Sequence, residues 1–335
     1  MSQNAKRLAL PALLLVLPLA LIGCGSGADA EKASDEAVAT TNAEVPSVDA
    51  QDPQLPVEFT GDDDVDVEVS SLDRVLVLDD ATMEIMDALS MADYVGIAPE
   101  TSLIEDVAAN ADERITTAGR GSLTVEGVVA LDPTLVIGTS MRRHADVIAG
   151  LQDAGIPATL IDGTQQAPDK ITKTATLLGV PEAGEELASE VQEQFDEAES
   201  KLTGVEERPR VMILSSQGAG DSGNTTAAGK ATPAHQVIEQ AGGLNTGAET
   251  GLDRYQAITA EGLIAAGPET IVVAESELDD LGGEDGIWEQ VKGLNGTPAA
   301  KSKSLIVIDD MQLKGGGISA GVGILNLQTQ LHPDS

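Results

Sequence analysis

Aromatic side chains are nearly missing from this 335-residue chain: Phe59, Tyr94, Phe195, Tyr255 and Trp288 are the whole set. A pocket built on aromatic stacking must therefore use Tyr94, Tyr255 or Trp288. Cys24 is the sole cysteine, so no disulfide closes within the chain. The three histidines, His144, His235 and His332, are too dispersed for the converging ligand set of a free manganese or zinc carrier. Positive charge is scarce as well, with 19 Lys and Arg against 56 Asp and Glu and a formal net charge of −37. Phosphate binding needs bases, which makes nucleic acid a poor partner. The acidic surplus suits high salt, where acids keep a surface hydrated and their repulsion is screened. No Ser nucleophile elbow, HExxH zinc motif or P-loop is recognised. The Gly218-Ala219-Gly220 and Gly315-Gly316-Gly317 runs lack the strand-turn-helix setting of a dinucleotide site and read as loops. The chain is expected not to be an enzyme.

What is present begins at the N-terminus. Lys6 and Arg7 precede an apolar stretch from Leu8 to Ile22 that contains Pro11 and Pro18. That is the plan of a secretory signal, and it falls short of the ~20 residues a membrane span needs. Leu21-Ile22-Gly23-Cys24 resembles a bacterial lipobox, whose cysteine takes a diacylglycerol and becomes the mature N-terminus. Residues 1–23 are expected to be a lipoprotein signal peptide and Cys24 the lipidation site; the alternative is a chance cysteine after a signal or anchor. From Ala28 to Glu68 there are thirteen acids and one base, Lys32. Such a composition buries little apolar surface, so 24–70 is expected to be a disordered acidic tether. Within it, Asp62-Asp63-Asp64 reads as solvated acid rather than as a calcium site.

Beyond Ser70 the pattern alternates. Arg74–Leu78, Tyr94–Ala98, Thr134–Ile137 and Ala158–Ile161 read as buried strands, with helices at Ala81–Ser90, Glu126–Leu131 and Asp146–Ala154 between them. Short apolar runs separated by helices predict parallel sheets covered on both faces. Glu182–Leu202 has no proline, and Leu187, Val191, Gln194, Phe195, Ala198 and Leu202 fall at helical spacing. This predicts one amphipathic helix of about 30 Å, with Gly204 as a cap. A second α/β segment opens at Arg210–Leu214. The two segments share a repeat. Glu126-Gly127-Val128-Val129-Ala130-Leu131-Asp132-Pro133-Thr134-Leu135-Val136-Ile137 aligns without gaps to Glu261-Gly262-Leu263-Ile264-Ala265-Ala266-Gly267-Pro268-Glu269-Thr270-Ile271-Val272, 135 residues on. Any helix-Pro-strand unit has this outline, but the shared Glu-Gly and equal length favour a duplicated lobe. The expected organisation is an N-terminal α/β lobe at 71–181, a connecting helix at 182–205 and a C-terminal α/β lobe at 206–335.

Two such lobes, one long helix and an anchor resemble the metal-chelate substrate-binding lipoproteins of bacterial ABC importers, which carry siderophores, cobalamin or haem. The resemblance runs from Ser71 to about Leu331. It rests on Ala81–Leu89, Ser122–Gly127, Leu131–Ile137, Ala241–Asn245 and Ile258–Glu261 in their order and spacing. It implies two Rossmann-like lobes on a rigid helix (the class III periplasmic-binding-protein type), with the ligand in the cleft between them. It also implies that Glu126 and Glu261, one on top of each lobe, dock on arginine pockets of a permease dimer that works with an ATPase. Without the resemblance both would be ordinary helix-start acids.

Loops after the strands of each lobe are expected to face the cleft. His144 follows one such strand in Thr139-Ser140-Met141-Arg142-Arg143-His144, and Tyr255 precedes Glu261 on the other lobe. Imidazole and phenolate are both axial ligands for haem iron, and Arg142, Arg143 and Arg254 suit propionates. The resemblance extends to actinobacterial haem-uptake lipoproteins, which hold haem through a His on one lobe, a Tyr on the other and a nearby Met. That pattern implies His144 and Tyr255 as axial ligands, with Met311 beside them. Plainer roles stand beside these: a helix-start residue for His144, packing or a siderophore contact for Tyr255, core for Met311. His235 reads as structural and His332 as an exposed tail residue. The expected protein is a monomeric extracytoplasmic haem carrier, anchored to the membrane through Cys24, delivering haem to an ABC permease. The alternatives are a ferric-siderophore or cobalamin carrier and a structural surface lipoprotein.

Overall fold

The computed structural model describes residues 43–117, 122–216 and 225–333, which belong to one compact unit. Its first strands, β1 (Val57–Thr60) and β2 (Asp66–Val69), pair antiparallel with Val57 opposite Val69 and Thr60 opposite Asp66. Both lie inside the segment expected to be a disordered tether, and they correct that expectation. Val67 and Val69 point into the core while Asp66 and Glu68 stay outside, a period-2 alternation that the acid count conceals. Upstream of the hairpin, the Val48 N–H donates to the Ala88 carbonyl at 2.7 Å and the Gln54 N–H to that of Gly179 at 2.8 Å. The Asp62-Asp63-Asp64 cluster forms the hairpin turn, and Asp62 is paired with Lys173 at 2.5 Å. Residues 24–42 lie outside the described residues.

The N-terminal lobe runs β3 (Val75–Val77), α1 (Asp80–Ala88), β4 (Val95–Pro99), α2 (Glu105–Ala108), β5 (Glu113–Ile115), α3 (Val125–Val129), β6 (Leu135–Gly138), α4 (Met141–Asp153), β7 (Ala158–Leu160) and α5 (Ala167–Leu177). Its sheet is parallel throughout, in the order β5-β4-β3-β6-β7. Apart from the exposed edge strand β5, the strands are buried on both faces because helices cover each side, which is why they read as apolar runs. Two core layers result, one holding Val75, Val77, Leu135 and Ile137, the other Leu76, Leu78, Val136 and Leu160.

Helix α6 (Pro181–Lys201) follows, close to the expected span. Proline occupies its first turn, where a missing N–H costs nothing. Leu187, Ala188 and Val191 enter the first lobe's core and Ala198 the second's, while Phe195 packs against both. One helix is therefore fastened into two cores, and that makes the connection stiff.

The C-terminal lobe contains β8 (Arg210–Ser215), β9 (Thr226–Ala227), α7 (Pro233–Gln240), β10 (Leu244–Asn245), α8 (Thr246–Glu249), β11 (Gln256–Ala257), α9 (Ala260–Ala266), β12 (Thr270–Ala274), α10 (Gly283–Gln290), α11 (Pro298–Ser302), β13 (Leu305–Ile308) and α12 (Ala320–Leu331). The sheet order is β11-β9-β8-β12-β13, with β10 also pairing β8. β8, β12 and β13 are parallel; β9 and β11 join antiparallel at one edge. A π-helical turn, Met311–Gly315, leads from β13 toward α12.

Candidate functional site

In an open α/β sheet the crevice forms where neighbouring strands send their connections in opposite directions. In the first lobe this point lies between β3 and β6. Asp79, directly after β3 and its Leu78, caps α1 and also accepts from the Thr139 N–H at 2.5 Å and its hydroxyl at 3.0 Å, tying the two strand ends together. Gly138 permits this, since a Cβ there would lie 3.0 Å from the Asp79 carboxylate and 2.7 Å from Leu78. The second lobe repeats the device between β8 and β12. Buried Glu277 accepts from the Ser215 hydroxyl at 2.8 Å and the Ser216 N–H at 3.2 Å, and pairs with Lys314 at 2.7 Å.

His144 stands at the first of these points. Helix α4 begins five residues before the expected Asp146, which places His144 in its first turn. The ring is 2% exposed, and Nε2 lies 3.2 Å from the Thr117 carbonyl. Nε2 therefore carries the proton, and Nδ1 is a buried lone pair with no hydrogen-bond partner among the described residues. Burial, and then the Arg143 charge, hold the imidazole below its ordinary pKa, which keeps it neutral and able to donate electrons. Arg142 and Arg143 are exposed in the same turn, where two cations oppose the helix dipole. Neither has an ion-pair partner among the described residues.

Tyr255 belongs to the second lobe, just before β11, with its ring against that lobe's core. Its hydroxyl is buried and has no hydrogen-bond partner among the described residues. Burial pushes its acidity well away from the ordinary range, and the charges of Glu277 and Asp310 push it further the same way. The phenol is held neutral, and a cation is what would release its proton. Asp310 accepts from the Ser276 N–H at 2.9 Å and its hydroxyl at 2.7 Å, and lies 3.3 Å from Lys314. Met311 opens the π-helical turn, 6% exposed, with its methyl group folded over Gly315. Arg254 is 58% exposed and 3.9 Å from Asp253.

The two edges face each other. Glu84 of α1 crosses to the second lobe, accepting from the Ile318 N–H at 2.8 Å, the Ser319 N–H at 3.0 Å and the Ser319 hydroxyl. Gly317 is required beside it, since a Cβ there would lie 2.2 Å from Glu84 Oε2. Lys170 of α5 is 1% exposed and approaches Gly316 from the same side. Burial raises the Glu84 pKa to about 7 and lowers that of Lys170 to about 8. Sequence reasoning missed Glu84, Lys170, Glu277 and Asp310. The available signal was an acid on the buried part of α1, flanked directly by the apolar Met83 and Ile85. Gly317-Ile318-Ser319-Ala320-Gly321 does have the Gly-x-Ser-x-Gly spacing of a nucleophile elbow, a correction to the motif reading. Its Ser319 is bonded to Glu84 and has no histidine partner among the described residues, so it is a structural link.

Glu126 and Glu261 sit exposed in the first turns of α3 and α9, capped by Thr124 and Thr259. Cys24 lies outside the described residues.

Two α/β lobes on one stiff helix, with an unpartnered buried base on one facing edge and a phenol on the other, define a two-lobed solute-binding protein. The chain belongs to the periplasmic binding protein family, whose model matches residues 75–311. It is similar to the periplasmic haem-binding protein RhuT from Roseiflexus sp. RS-1 in its apo form, with 28% identity and a TM-score of 0.67 over 78% of this chain and 98% of that one. It is similar to the haem-binding protein HmuT, at 27% identity and 0.72 over 86% and 93%. The periplasmic haem-binding protein BhuT in complex with two haems is 26% identical, with a TM-score of 0.67 over 78% and 98%. No curated protein matches the chain at a significant level. No helix among the described residues is long and apolar enough to cross a membrane.

Proposed function

We propose that this chain is an extracytoplasmic lipoprotein that binds haem in the cleft between its lobes and delivers it to the permease dimer and ATPase of an ABC importer. The observation that carries the reading is that, of the several buried side-chain polar atoms without a hydrogen-bond partner among the described residues, two can serve as axial ligands to iron from opposite lobes: His144 Nδ1 on the first and the Tyr255 hydroxyl on the second. Leaving such atoms unpaired costs about 1–3 kcal/mol each, and a metal chelate entering the cleft relieves that cost. A neutral imidazole and a phenol with a releasable proton match the axial chemistry of ferric haem. Arg142 and Arg143 on the first lobe and Arg254 on the second supply exposed guanidinium groups for the propionates, and Met311 lies at the same edge as Tyr255. The named relatives bind haem, which supports haem over other chelates. Cys24 would anchor the protein through its lipid. Glu126 and Glu261 would meet the permease.

Titrating purified protein with haemin tests the cargo. A Soret band that sharpens and saturates supports the reading. Saturable binding of a ferric siderophore or of cobalamin, with no haemin spectrum, replaces it. For the anchor, Cys24→Ala should move the protein from the membrane fraction to the soluble fraction, and its retention in the membrane would overturn lipidation.

A further inference from the structure

Resting on the permease-docking reading, we propose that each docking glutamate works together with an exposed aliphatic side chain three residues further on. Glu126 acts with Val129, and Glu261 with Ile264. The two pairs form a matched surface for a two-fold symmetric membrane protein that presents a basic side chain beside an apolar socket, once in each half.

The repeat builds the same capped turn in both lobes. The Thr124 hydroxyl accepts from the Gly127 N–H at 3.1 Å, and the Thr259 hydroxyl from the Gly262 N–H at 3.0 Å. The next residues, Val128 and Leu263, are 1% and 0% exposed and anchor the turn to its lobe. The residues after those, Val129 and Ile264, are 42% and 48% exposed. Val45 and Leu103 are the other large aliphatics so exposed among the described residues, and neither stands beside a docking glutamate. An isolated surface aliphatic needs no explanation. Two at equivalent positions of a duplicated turn, each three residues after a glutamate, do.

Residues three apart on a helix share a face, with about 5–6 Å between their Cβ atoms. Carboxylate and aliphatic are thus presented to one partner element. Neither glutamate has an ion-pair partner among the described residues, so both charges are free to meet a base. Ile264 lies against Gly296, whose missing Cβ would stand 2.9 Å from Ile264 Cγ1, so contact loses little side-chain freedom. The charge, on a chain of net −37, steers encounter with a basic face; the desolvated aliphatic slows release. Two equivalent patches on one chain fit a partner whose halves are related by a two-fold axis.

The test replaces the native gene in its own host and compares haem uptake by Val129→Ser/Ile264→Ser, Val129→Leu/Ile264→Leu and Glu126→Gln/Glu261→Gln. Haemin titration and thermal melting of each purified protein come first, and all three should match the native chain. Uptake should fall at least tenfold in the Ser pair and in the Gln pair, and the Leu pair should retain it. If the Gln pair loses uptake while the Ser pair stays within twofold of native, docking through the glutamates stands and the aliphatic contribution is wrong. If neither loses uptake, docking on this face is wrong too. Loss in the Ser pair alone would contradict the pairing with glutamate. A photoreactive benzoyl-phenylalanine replacing Val129 or Ile264 should crosslink to one and the same membrane polypeptide. Crosslinks to two different polypeptides, or to none, would overturn the two-fold partner.

Discussion

The two proposed axial ligands, His144 and Tyr255, are held neutral in opposite ways. The imidazole keeps a neutral lone pair because burial and Arg143 suppress its protonation. The phenol keeps its proton because burial and two carboxylates oppose the phenolate. Tyr255→Phe preserves the packing against the second lobe's core while removing the oxygen, and is expected to weaken haemin binding at least tenfold, or about 1.4 kcal/mol. Isothermal titration checks the magnitude, and a fall of less than twofold would exclude the hydroxyl as a ligand. The arginines should matter less. Exposed ion pairs contribute about 0–1 kcal/mol, so Arg142→Ala or Arg143→Ala should cost less than about fivefold, and added salt should erase the difference. Both ligand candidates were legible because histidine and tyrosine are so rare here. Their carboxylate surroundings were not, since Glu277 and Asp310 look like any others among 56 acids until the sheet brings them to Tyr255.

Among the elements, the α6 helix and the parallel strands announce themselves through period and apolar runs. The β1–β2 hairpin does not. Its strands are four residues each, and the acids of its outer face and turn outweigh the alternation of Val67 and Val69. The start of α4 was equally hidden, because two arginines in a first turn oppose the usual helix-start chemistry. The hairpin's place in the core is testable. Val69 is fully buried, so Val69→Ala should lower unfolding free energy by about 1–3 kcal/mol in a urea titration. Unchanged stability would return that strand to the tether.

For the whole molecule, the lobes meet through a carboxyl that has been taken out of water. The folded-state pKa of Glu84, about 7, stands above its ordinary 4.5. A raised carboxyl contributes stability that is fully present below pH 4.5 and is lost as the pH rises through 7. Over that window the loss amounts to as much as about 3 kcal/mol. Lys170 has its pKa lowered from 10.5 to about 8, so its own contribution changes only above that window. His144, with its pKa lowered, acts the other way in the same window, adding stability as the pH rises to 6.5. Melting curves between pH 4.5 and 7.5 should therefore fall more steeply with pH, or rise less, in the native chain than in Glu84→Gln, because His144 contributes equally to both. The same pH dependence in the variant would remove Glu84 from the account.

The most direct test of haem held between the lobes is the absorption and electron paramagnetic resonance spectrum of the haemin complex in the native chain, in Tyr255→Phe and in His144→Ala. Each lobe contributes one axial bond in this account. Tyr255→Phe should therefore lose the tyrosinate charge-transfer band and bind weakly. His144→Ala should keep that band, change its coordination state and bind better than the tyrosine variant. Native spectra in both variants would contradict the account, because the iron would then be held by neither edge of this cleft.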